Sequence, residues 1–82
     1  MKVWVATTEG DSFHGLWHDL EDAKKQEMDR CFKVTDAMYG DRVHYRQWQC
    51  YQGDKWDLYY RFENDYGKHS VCWVSLEEYE VK

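Results

Sequence analysis

Residues 56–63 read Trp56-Asp57-Leu58-Tyr59-Tyr60-Arg61-Phe62-Glu63. Successive side chains of an extended chain point to opposite sides. Trp56, Leu58, Tyr60 and Phe62 therefore share one face, and Asp57, Tyr59, Arg61 and Glu63 share the other. This is the signature of a strand with one buried and one wet face. It decides the fold class, because a strand of this kind belongs to an antiparallel sheet covered on one side.

Working outward, Gln52-Gly53-Asp54-Lys55 reads as a turn, and Arg42–Tyr51 (RVHYRQWQCY) as the strand before it. Asn64–Lys68 is a second turn with glycine late, followed by a strand over His69–Leu76 that the acidic tail Glu77–Lys82 extends. At the other end, Lys2–Thr8 (KVWVATT) is β-branched and aromatic, as strands are. Glu9–Ser12 has turn chemistry, and Phe13–Trp17 is a short partner strand in which Gly15 marks a bulge.

Between these hairpins lies a segment of a different period. Asp19 is placed as a helix N-cap, with Asp22 three residues on as the weaker partner of a capping box. Leu20, Ala23, Met28, Cys31 and Phe32 recur at helical spacing, which predicts a helix ending near Phe32. Glu21–Lys25 and Asp29–Lys33 are acid-before-base pairs on its exposed face. Glu27 is the exception, a carboxylate inside the apolar arc, placed to snorkel at the edge or to bond a tyrosine or indole of the sheet. Thr35–Asp41, with Gly40, is read as a connection.

The expected fold is thus α+β, a single domain over residues 1–82 in the order β-β-α-β-β-β. One helix packs on one face of an antiparallel sheet and leaves much of the other face open. The helix should dock through Leu20, Ala23, Met28 and Cys31 onto Trp56, Leu58, Tyr60 and Phe62.

The 82 residues carry a formal charge of −5, with 5 Trp, 7 Tyr, 3 Phe and no Pro. The aromatic content separates the chain from disordered segments. The acidity disfavours general affinity for nucleic acid and for anionic membranes. Three cysteines, at 31, 50 and 72, form no Cys-x-x-Cys and no even set, as reduced thiols do; Cys31 and Cys50 read as small core residues. Met1–Ala6 lacks the features of a secretion signal. A cytoplasmic protein without membrane attachment is the expectation.

The residues do not spell a catalytic or metal centre. His14 and His18, four apart on an extended segment, stand about 13 Å apart, too far for one zinc. A couple between Cys72 or Cys50 and His44 or His69 is left open, since such partners meet in space rather than in sequence. No glycine run resembles a phosphate loop. We therefore expect no enzyme activity, no cofactor and no metal.

The distinctive stretch is 42–61. It holds Arg42, Arg46, Lys55 and Arg61 against Asp54 and Asp57, a net +2 in a chain of −5. Tyr45, Trp48, Tyr51, Trp56, Tyr59 and Tyr60 are interleaved with them. Rings beside arginines anchor protein interfaces and also stack unpaired bases. Half of these rings must form the core; the rest belong on the wet face. Arg46, Trp48, Tyr59 and Arg61 are placed there together as the partner-binding residues.

In size and composition the chain resembles small phage or mobile-element proteins that block a host defence enzyme, such as anti-CRISPR or antirestriction proteins. The resemblance implies a protein partner, among them a nucleic-acid-processing host protein. The alternative is a small binder of single-stranded nucleic acid.

Overall fold

The computed structural model describes residues 1–8 and 12–81. Strands β1 (Lys2–Thr8) and β2 (Ser12–Trp17) precede the helix α1 (Leu20–Tyr39). A single 3-10 turn (Gly40–Arg42) leads into β3 (Val43–Tyr51), β4 (Lys55–Asn64) and β5 (Gly67–Glu80). The five strands form one antiparallel sheet in the order β2-β1-β5-β4-β3. The expected turn at Glu9–Ser12 lies outside the described residues except for Ser12, as does Lys82 of the tail.

The sheet is closed across its middle by β5, which pairs with β4 along one side and β1 along the other. The acidic tail does extend the last strand: Glu77–Glu80 stand opposite Lys2–Val5. Glu78 N–H also donates to the Asp54 carbonyl at 3.0 Å, and Val81 N–H to that of Met1 at 2.7 Å. Beside Gly15 the register of β1 and β2 shifts, with Ala6 opposite Gly15 and Thr7 opposite Phe13. A methyl group on Gly15 would lie 3.2 Å from the Trp17 indole nitrogen, so glycine leaves room for that ring.

The helix leaves the sheet at the β2 edge and returns at the β3 edge. Its 20 residues span roughly 30 Å, against roughly 19 Å across five strands, so it crosses the sheet obliquely. Asp19 caps it as expected, its carboxylate accepting from Glu21 N–H at 3.1 Å. The helix ends at Tyr39, not near Phe32. Its buried line is Ala23, Glu27, Cys31 and Thr35, a residue every fourth place, with Tyr39 next in the series. Two of those five are polar, so the apolar period fades while the helix continues. Gly40, at φ 59°, is the C-cap, and its N–H donates to the Asp36 carbonyl.

The core is Trp4, Ala6, Ala23, Cys31, Leu58, Tyr60, Val74 and Leu76, with Leu20, Met28, Trp48, Trp56 and Phe62 packed against it. This is the docking expected from the alternation in β4. Tyr39 extends the interface, its ring stacked on Phe62 at a centroid distance of 4.1 Å. Glu27 does not snorkel: its side chain is fully buried, with Oε1 3.4 Å from Arg30 Nη1. Cys31 is a core thiol as expected, and burial pushes its pKa up. Cys50 is not; it is exposed near the end of edge strand β3.

Leu58 is fully buried, whereas Glu63 is exposed and bonds the exposed His44 at the end of β4. Truncating a buried leucine costs about 2–5 kcal/mol, and in a domain of this size each kcal/mol moves the midpoint by about 4–8 °C. Leu58→Ala should therefore lower the thermal midpoint by roughly 10 °C or more, and Glu63→Ala by only a few degrees. Differential scanning calorimetry of the two variants checks this; equal midpoints would contradict the assignment of faces.

Candidate functional site

The face of the sheet away from the helix carries no covering element among the described residues. Cross-strand partners in an antiparallel pair share a face, so the register identifies its members. Tyr59 stands opposite Gln47 and Cys72, Arg61 opposite Tyr45 and Ser70, Asp57 opposite Gln49 and Ser75, and Lys55 opposite Tyr51 and Glu77. Across β5, Glu77 in turn faces Val5, which pairs with Leu16. Tyr45, Tyr51, Leu16 and Tyr79 are all more than two-fifths exposed on this side.

Two of the four residues expected here are elsewhere. Trp48 pairs with Leu58 and Arg46 with Tyr60, so both point toward the helix. Arg46 Nε donates to Thr35 Oγ1 at 2.9 Å, and its guanidinium lies 4.2 Å from the centroid of the Phe32 ring. The reason is loop length. The β3–β4 connection is Gln52–Asp54, with Lys55 already paired to Tyr51, whereas a loop that included Lys55 would place Arg46 opposite Arg61. A one-residue change of register moves every side chain to the other face. Gln52 and Gly53 both have positive φ, 59° and 78°, as a tight hairpin connection requires. The signal for the correct register was present in β3 itself, where Gln47 and Gln49 alternate with Trp48 and Cys50.

Tyr59 and Arg61 do share the open face. The Tyr59 hydroxyl donates to Asp57 Oδ2 at 3.4 Å, and Tyr51 to Gln49 Oε1 at 3.1 Å. Hydrogen bonding with Tyr51, then burial and the nearby Asp57 charge, hold the Tyr59 phenol well above the ordinary tyrosine range. Arg61 Nε is shielded from solvent and makes no hydrogen bond. Tyr45 and Tyr51 are open-face rings that belong with this pair.

Two concavities flank the face. One, of about 450 Å³, is lined by Tyr51, Gln52, Asp54, Lys55, Asp57 and Glu77. The other, of about 360 Å³, lies at the opposite end of β4 and is lined by Asp41, Arg42, His44, Glu63, Asn64 and Asp65. In the second, His44 Nε2 is 2.9 Å from Glu63 Oε2; no hydroxyl or thiol nucleophile lines it. His69 bonds Asn64 Oδ1 at 3.0 Å and packs on Phe62. Cys72 Sγ lies 3.7 Å from the Val74 carbonyl and 3.9 Å from Ser75 Oγ. The side chain of His14 lies outside the described residues, and His18 is exposed.

Compared with protein families, curated proteins and solved structures, the chain matches none. Among the described residues no helix is long and apolar enough to cross a membrane.

Two outcomes test this geometry. Arg46→Ala should destabilise the fold by about 1.5–3 kcal/mol, the range for a hydrogen bond to a charged group, because it removes the tie between β3 and the second half of α1. Chemical denaturation reads it, and unchanged stability would return Arg46 to the surface. For Tyr59, the raised folded-state pKa means that the fold favours the neutral phenol. That contribution is complete below about pH 10, the unfolded value, and is lost as pH rises through the folded value. Tyr59→Phe should therefore lose less stability than the parent chain between pH 10 and 12, measured by denaturant midpoints along that series.

Proposed function

We propose that the chain is a non-enzymatic protein-binding module, a small inhibitor or adaptor in the manner of phage and mobile-element proteins that block a host nucleic-acid-processing protein, and that its open sheet face is the contact surface. The observation that carries this reading is the face itself. Tyr45 and Arg61 stand directly opposite each other, with Tyr51 and Tyr59 on the same side, and no element among the described residues covers them. Tyrosine and arginine supply large contact area and directional donors, and such residues dominate measured interface energies.

The same register weakens the nucleic-acid alternative. Arg46 and Trp48 are engaged with the helix and the core, so the open face lacks one arginine and one indole of the expected cluster. The charges that remain are mixed: Lys55, Arg61 and Lys68 stand among Asp57, Glu63 and Glu77. A surface that tracks phosphates needs a basic excess.

The double variant Tyr45→Ala/Arg61→Ala tests the reading. Tyr45 is two-fifths exposed and neither side chain belongs to the core. The thermal midpoint should stay within a few degrees, while stoichiometric capture of a protein by the immobilised parent chain is lost on substitution, a hot-spot truncation costing about 2–4 kcal/mol. Capture that survives the substitution, or that disappears on nuclease treatment, would overturn it.

A further inference from the structure

At the junction of the β3–β4 turn with β5, the open face sinks into the concavity of about 450 Å³ that holds Asp54, Asp57 and Glu77 with one cation, Lys55. Lys55 and Glu77 are directly opposite, and Asp57 is two residues along the same strand and side as Lys55. Asp57 is only 8% exposed, although it lies on the open face. Its Oδ2 accepts a long hydrogen bond, 3.4 Å, from Tyr59, while its Oδ1 is shielded from water and accepts none. A buried carboxylate oxygen without a donor forfeits its hydration. A cation entering the pocket beside Asp57 would offset that cost.

We propose that this pocket takes a guanidinium group, presented by an arginine side chain of a protein partner. The three carboxylates against one ammonium leave the pocket negative, which selects a cation. Among the described residues no three acidic, histidine or cysteine side chains are grouped closely enough to ligate one metal ion, so the charge suits a broad, delocalised cation rather than a point ion. Guanidinium is planar, donates to a carboxylate through two parallel N–H groups and stacks on aromatic rings. Asp57 supplies the carboxylate and the rim residue Tyr51 an exposed ring. An ammonium is more strongly hydrated and cannot fork. The proposal deepens the interface reading and rests on it only for the source of the cation.

The test titrates the whole chain with N-acetyl-arginine amide, followed by amide proton–nitrogen correlation spectra. Saturable shifts confined to 51–59 and 75–78, with a dissociation constant of about 1 mM, a value within reach for a single side chain, are the expected result. N-acetyl-citrulline amide, the neutral analogue, should produce none, and N-acetyl-lysine amide should bind at least several-fold more weakly. Asp57→Asn should weaken binding tenfold or more. Glu77→Gln, on the partly exposed wall, repeats the measurement with little risk to the fold. The proposal is overturned by the absence of saturable shifts, by equal binding of citrulline or lysine, or by shifts scattered over the acidic helix face. Arginine binding without capture of any protein would sink the interface reading and leave the pocket; capture unaffected by Asp57→Asn and Glu77→Gln, with no arginine binding, would sink the pocket alone.

Discussion

The register of β4 between β3 and β5 is the constraint on which the rest of the molecule depends. Leu58 meets Trp48 on one side and Val74 on the other, and all three face the helix. Had β4 slipped by one place, Asp57, Tyr59 and Arg61 would face α1 and the apolar residues would face water. The structure guards this alignment at both ends. The three-residue connection Gln52–Asp54 sets the pairing with β3, and the two-residue turn between Asn64 and Gly67 sets the pairing with β5. Irregularities are confined to single steps, after Leu58 against β5 and at Val43–Tyr45 against β3; β4 keeps its alternation through both, while each partner strand reverses its own there.

The helix interface is built around polar groups as well as apolar ones. Thr35 is fully buried, and its hydroxyl donates to the Cys31 carbonyl at 2.6 Å while accepting from Arg46 at 2.9 Å. That chain of contacts, with the Tyr39–Phe62 ring stack beside it, fixes the C-terminal half of α1 over the sheet. Arg46 also covers Phe32, which remains half exposed. At the N-terminal half, Lys24 lies 3.8 Å over the Trp56 ring. Cations from either side thus lie across aromatic rings at the margins of a small core, an arrangement that uses long side chains to extend apolar cover.

The sequence discloses the element order, the helix cap and the buried face of β4, because each rests on local chemistry: Asp19 before a helical period, glycine in the turns, and strict alternation from Trp56 to Glu63. What it discloses poorly depends on contacts distant in sequence. The helix runs through Thr35 because Arg46, eleven residues later, meets its hydroxyl; nothing in the apolar period announces that. Gly40, placed by the sequence inside a connection, is the residue at which the helix stops. The site suffered from the same kind of limit. Whether Arg46 lies beside Arg61 or beside Tyr60 turns on whether Lys55 belongs to the loop or to the strand, a distinction of one residue.

This dependence on register also places the charged concavity at the β3–β4 end of the open face. The connection that seats Trp48 in the core places Tyr51 opposite Lys55, and the long β5 brings Glu77 opposite Lys55 from the other side. Asp57 follows on the same face, too near the centre of the sheet to be well hydrated. Folding thus draws a carboxylate into partial isolation as a consequence of burying Leu58 and Trp56 beside it. The alternation that stabilises one face leaves on the other a shielded carboxylate oxygen, Asp57 Oδ1, without a hydrogen-bond donor.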